Sequence, residues 1–176
     1  MSTTKWALDA AHSELGFKIK HLMISNVSGR FNQFDVQADT DSDDFSNAAI
    51  TATIDVASIF TNNEQRDNHL RTGDFFEIEK YPHIIFKASS VKKEGDDLEI
   101  NGTLTMKDVS RPVTLKAEFA GITRDPYGNV KAGFSFAGKL NRKEWGINFN
   151  AALETGGVML GEEVKYEGEI QLIKAA

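Results

Sequence analysis

Cysteine is absent from the 176-residue chain, which excludes disulfides, thiolate metal centres and cysteine nucleophiles. No apolar stretch approaches the ~18 to 20 residues that a membrane-spanning helix needs. The opening MSTTKWALD holds no signal-peptide core, so the chain as given is expected in the cytoplasm, or in the periplasm if a leader has been removed. Clustered positive charge is lacking too. Lys and Arg number 20 against 26 Asp and Glu, for a net charge of -6, and they are scattered along the chain, so nucleic acid is not an expected partner. The four histidines, His12, His21, His69 and His83, form no H-x-x-x-H pair, and neither a metal site nor a cofactor is expected. A Gly-x-Ser-x-Gly elbow, a phosphate loop and a dinucleotide fingerprint are also missing.

What the chain does have is phenylalanine, twelve against two Trp and three Tyr, which points to an aromatic interior with few hydrogen-bonding groups. Its length suits one domain over residues 1–176. Apolar residues alternate with polar ones through most of it: Leu15, Phe17, Ile19 against Lys18, Lys20; Ile50, Ala52, Ile54 against Thr51, Thr53; and likewise through residues 83–89, 98–106, 113–119, 134–140 and 164–173. Near Asn32-Gln33 the alternation changes parity, predicting a bulge or sharp bend. Turns are expected at residues 93–97, 108–112 and 124–129, where Gly, Pro, Asp and Asn collect. About eight strands with one wet and one apolar face, and few helical residues to cover them, predict an all-β antiparallel barrel; a two-sheet sandwich is the alternative.

One stretch breaks the pattern. Residues 62–72 read as a helix inserted between strands, with Thr61 as cap, Glu64 as its capping-box partner, Gly73 as stop, an Asp67–Arg71 surface pair and Leu70 as the single large apolar anchor. Arg66, Asp67, His69 and Asp74 concentrate charge as a general acid/base set does, but Asp67 and His69 stand two apart on a helix and face different ways. Polar bonds tying the helix to the barrel rim are the expected role. Phe75, Phe76 and Trp145 are candidates for the mouth of a cavity, and residues 150–157 (NAALETGG) read as a rim loop.

A barrel of this size either packs solid or holds one elongated ligand, and periodicity leaves both open. If hollow, its Phe, Ile, Leu and Val lining selects an apolar chain. The candidate ligand-binding residues are Phe17, Ile19, His21, Phe31, Ile54, Phe75, Phe76, Phe86, Phe119, Phe134, Phe136 and Trp145. His21 stands in register with Leu15, Phe17 and Ile19, as a core or rim histidine or as a polar contact for a ligand head group.

The runs Trp6–Asp9, Ala11–Ser13, Phe17–Leu22, Ser28–Phe31, Asp55–Ile59, Arg66–Arg71, Asp74–Phe76 and Tyr81-Pro82, and later Gly102–Thr105, Arg111–Thr114, Asp125–Gly128, Asn141–Lys143 and Asn150–Gly157, occur in an order that resembles the YceI-like family. The resemblance implies a lipocalin-like barrel that binds a long amphiphile, typically a polyisoprenoid such as a quinone or prenyl precursor, without catalysis. Its implied partners are that small lipid and a second copy in a homodimer; transient contact with a membrane is expected as well. An enzyme acting on such a lipid through His21 or His69, and a filled barrel serving as a stress-response interaction module, are the competing readings.

Overall fold

The computed structural model describes residues 3–22, 24–41, 45–150 and 160–175. Eleven strand segments form one antiparallel sheet: β1 (Thr4–Leu8), β2 (Glu14–His21), β3 (Ser25–Phe31), β4 (Phe34–Thr40), β5 (Ala49–Asp55), β6 (Ile59–Phe60), β7 (His83–Glu94), β8 (Asp97–Met106), β9 (Val109–Arg124), β10 (Val130–Asn141) and β11 (Leu160–Lys174). Six of them are halves of bent staves. β11 pairs along one edge with β2 (Gly168↔Leu15) and then with β1 (Leu172↔Leu8), so β1 and β2 are one stave broken by the short 3-10 turn Ala10–His12. β3 and β4 make the second and β5 and β6 the third, since β4 pairs with β1 and β5 while β3 pairs with β2 and β6.

Counted this way the barrel has eight staves and closes where β11 meets β1. The break between β3 and β4 falls at Asn32-Gln33, where the sequence changes parity. Backbone bonds bridge it to the third stave, from Asn32 N to Ser58 O at 3.1 Å and from Asp55 N to Gln33 O at 3.0 Å. Closing the sheet pairs most of its edge groups, which an open sheet with one apolar face could not do in water.

Two turns depart from the expected pattern. The reversal after β8 is made by Lys107 and Asp108, both at positive φ, and β9 starts at Val109, so Pro112 lies inside a strand opposite Thr103. It is tolerated because β9 pairs with β10 only from Lys116 onward, which leaves Pro112 beside an unpaired edge. The helix, α1 (Glu64–Leu70), has two turns rather than three and is capped by Asn63, whose side chain accepts from Arg66 N at 2.9 Å. Thr61 instead serves Asp67, which is 5% exposed and accepts from both the Thr61 amide and its hydroxyl. Asp67 therefore does not pair with Arg71, which donates to Asn68 Oδ1 and to the carbonyls of Ala57 and Ile59. Gly73 is not at positive φ; Arg71 ends the helix.

The interior holds two apolar clusters. At the end away from α1, Trp6, Phe45, Phe119 and Phe134 interlock with centroids 4.9 to 5.8 Å apart, and Trp6 Nε1 donates to the buried Thr40 hydroxyl at 3.0 Å. Phe45 holds this plug from a left-handed backbone conformation (φ 62°) in the connection after β4. At the helical end Phe31, Val56, Ile59, Phe75, Ile84, Met106, Trp145 and Ile147 pack together, with Leu70 of α1 against them.

Candidate functional site

The interior is not packed solid. Between the two clusters runs a cavity of about 390 Å³, bordered at one extreme by Phe45 and Leu172 and at the other by α1, Phe149 and Leu160. Its lining on β11 extends from Leu160 to Leu172, about 30 Å at ~3.3 Å per residue and a ~40° strand tilt. A cavity that long and of that volume is narrow, shaped for a chain rather than for a compact molecule.

Aromatic side chains keep it open by lying against glycines on neighbouring strands. A Cβ on Gly29 would strike the ring of Phe17, one on Gly102 that of Phe86, one on Gly138 that of Tyr166, and one on Gly168 that of Phe136 at 2.6 Å. All four rings border the cavity. With no side chain on the glycine, each ring has room to lie over that backbone and fills less of the lumen.

Of the residues expected to line an apolar pocket, Phe17, Ile19, His21, Phe31, Ile54, Phe75, Phe76, Phe86, Phe134 and Phe136 border the cavity. Phe119 and Trp145 do not. Phe119 sits behind Phe45 and Phe134 with the Lys93 ammonium 5.1 Å from its ring centroid. Trp145 is 1% exposed and donates Nε1 to Leu104 O at 2.9 Å, a strut inside the wall rather than part of a mouth. Its place is fixed by the 3-10 turn Arg142–Trp145, which Asn141 caps and Gly146 (φ 79°) ends. Of the expected rim loop only Asn150 is described; it clasps Leu160 by two side-chain bonds, of 2.7 and 2.9 Å, and residues 151–157 lie outside the described residues.

The charged groups gather at the helical end. Arg66, His69, His21 and Arg142 border the cavity there, and among the described residues no Asp or Glu does. Arg66 is spent on Thr61, donating Nε to its hydroxyl at 2.8 Å and Nη2 to its carbonyl at 2.6 Å. His69 Nε2 lies 2.8 Å from Asp74 Oδ2, and its ring meets Phe75 and Phe149 edge-on at 5.1 and 5.0 Å. Arg142 is 3% exposed. Burial pushes its guanidinium below the usual arginine value, with the Glu162 carboxylate acting in the opposite sense. Nearer the middle of the lumen, burial raises the Tyr166 phenol. Alternation along residues 164–173 already puts Tyr166 on the apolar face with Ile170 and Leu172. Three contributors carry no local sign: Phe45 lies in a polar connection, Phe149 has no distinguishing pattern, and an arginine is by default a surface residue; only the resemblance singled out Asn141–Lys143.

The YceI-like domain matches residues 6–172. The UPF0312 protein of Staphylococcus aureus (strain USA300) is 46% identical over 169 residues, 96% of each chain. The crystal structure of the Campylobacter jejuni YceI protein superposes with a TM-score of 0.76 at 35% identity, covering 96% of this chain and 97% of that one. A polyisoprenoid binding domain from Saccharophagus degradans superposes with a TM-score of 0.71, covering 97% and 98%; at 14% identity it speaks for the fold alone.

Proposed function

The chain belongs to the YceI-like family, and on that premise we propose that the protein binds a long apolar amphiphile, a polyisoprenoid, inside its barrel and performs no chemistry on it. The single observation that carries this reading is the cavity: long, narrow, lined by Phe, Ile, Leu and Val, with its charged groups confined to one end. Such a lumen accepts a hydrocarbon tail along its length and a polar head beside α1. Each methylene moved from water into it is worth ~0.8 kcal/mol before ordering costs, so affinity rises with tail length until the tail meets Phe45. A polyisoprenoid is named as the amphiphile because a polyisoprenoid binding domain has this fold.

Exchange with a bilayer belongs to the same reading. Leu22 is 40% and Ile24 84% exposed on the turn between β2 and β3, immediately beyond His21, and this apolar tip is positioned to touch a membrane while the ligand passes.

The enzyme reading would use His69, oriented by Asp74, or His21 beside the cavity. The test is direct binding: titration of a tail-length series of prenols should show affinity increasing with each isoprene unit and reaching a plateau. Flat, millimolar affinities across the series would refute it. Turnover of a quinone or prenyl substrate that vanishes in His21→Ala or His69→Ala would replace it with the enzyme reading.

A further inference from the structure

Arg142 holds a fixed charge in the wall of a largely apolar cavity, and the structure spends only part of it. Its Nε donates to Gly161 O at 2.9 Å and its Nη1 to Ile147 O at 2.8 Å, which pins the guanidinium plane between two backbone segments. Nη2 is buried and has no hydrogen-bond partner among the described residues. A buried donor left unmade is costly, and more so on a charged group, so this atom calls for an acceptor. The nearest carboxylate in its field, Glu162, is half-exposed and turned to Lys143 Nζ at 2.8 Å and Asn141 Nδ2 at 3.4 Å. Both backbone acceptors of Arg142 are neutral. The lining beside it carries Arg66 and no Asp or Glu among the described residues; the carboxylates just behind it are turned to other partners, Asp67 to Thr61 and Asp74 to His69.

We infer that Arg142 Nη2 is the anchor for an anionic oxygen on the ligand's head, a phosphate or a carboxylate, and that the ligand lies with this head beside Arg142 and its tail toward Phe45. A hydrocarbon tail alone leaves the guanidinium uncompensated, and a neutral hydroxyl satisfies one donor without answering the charge. An anionic oxygen does both, through a charge-assisted bond of the stronger kind. With Nε and Nη1 each donating to a backbone carbonyl, Nη2 with its two N–H groups is the part of the guanidinium left for the head. It therefore fixes where the head stops, and leaves the rest of the head group toward His21 and His69.

This deepens the binding reading and rests on it, so the experiment separates the two. Affinities of the native protein for matched pairs, farnesyl monophosphate against farnesol and palmitate against hexadecanol, are measured at one ionic strength, then repeated with Arg142→Met and Arg142→Lys. The expected result is that the anion of at least one pair binds about tenfold or more tightly than its alcohol, that Arg142→Met removes most of that advantage by weakening the anion more than the alcohol, and that Arg142→Lys restores part of it. Which pair shows the preference tells phosphate from carboxylate. The pairs compared on the native protein decide the matter even if Arg142→Met fails to fold, since the preference needs no variant. Equal affinity within both pairs, or a preference unchanged in a folded Arg142→Met, overturns the head-group assignment and leaves tail binding standing. Failure of all four compounds to bind overturns both.

Discussion

Phe17 and Gly29 illustrate how single residues shape the lumen. Gly29 faces Phe17 across the β2–β3 pair, and a methyl group there would strike that ring and the Thr61 methyl. Only side chains stand in the way, so Gly29→Ala should fold, with Phe17 swung into the cavity. The expected cost is about 1 to 3 kcal/mol of stability, read as a lowered Tm, together with weaker binding of long tails than of short ones. Unchanged Tm and an unchanged tail-length plateau would show that the ring has room to move elsewhere. The pairing of rings with glycines was only half legible in the sequence. Strand glycines are visible as irregularities, but which ring covers which glycine depends on cross-strand register, and register is set by closure of the whole sheet.

Among the elements, α1 is the least self-sufficient. Seven residues are too few to hold a helix in water, and this one is moored by Leu70 in the helical-end cluster and by Asp67 on Thr61. Asp67→Ala strands two donors of Thr61 in the interior and should cost about 1 to 3 kcal/mol per unmet group, with faster amide exchange over residues 61–70 than elsewhere; uniform exchange would show the helix to be held otherwise. The sequence announced a helix, its Leu70 anchor and its place between strands. It misassigned the cap and the ion pair because Thr61, Asn63, Asp67 and Arg71 each have several partners within reach along the chain, and the choice is made by burial against β6, which local spacing does not record. The turn carrying Leu22 and Ile24 is an element with the opposite character, exposed and apolar. Leu22→Ser with Ile24→Ser should slow transfer of a fluorescent prenol from vesicles several-fold while leaving equilibrium affinity unchanged, as expected for a group that acts only in the encounter. Equal transfer rates would remove the membrane contact from the proposal.

The barrel as a whole closes where β11 meets the first stave, along seven residue pairs with β2 and a seam of three with β1, from Trp6↔Lys174 to Leu8↔Leu172. Beside the seam Lys131 Nζ reaches Asp9 at 2.6 Å and Asp125 at 3.6 Å, and His12 adds a further contact to Asp9 at 2.9 Å. The hydrogen bond from Lys131 holds the Asp9 carboxyl below the usual range, and the one to Asp9 holds the Lys131 ammonium above its own. Asp9 therefore adds stability above its unfolded value of ~3.9 and loses it as pH falls through the lowered folded value. Lys131 adds stability below its unfolded value of ~10.4 and loses it as pH rises through the raised one. The Tm difference between the native protein and Asp9→Asn should be largest between about pH 4 and pH 10 and shrink at both extremes; a difference independent of pH would mean that the pair does not support the seam. At this scale the sequence spoke most clearly, because alternation with one wet face and too little helix to cover the other leaves closure as the economical solution. It could not say whether the lumen was filled. That depends on where the large side chains of the lining point, and on Phe45 adopting a backbone conformation that phenylalanine seldom takes.

The most direct measurement is organic extraction of the purified native protein followed by mass spectrometry. The expected result is a polyisoprenoid in stoichiometric amount, reproducible between preparations and displaced by added prenol. A reproducibly empty protein that also fails to take up any member of the prenol series would contradict the binding function.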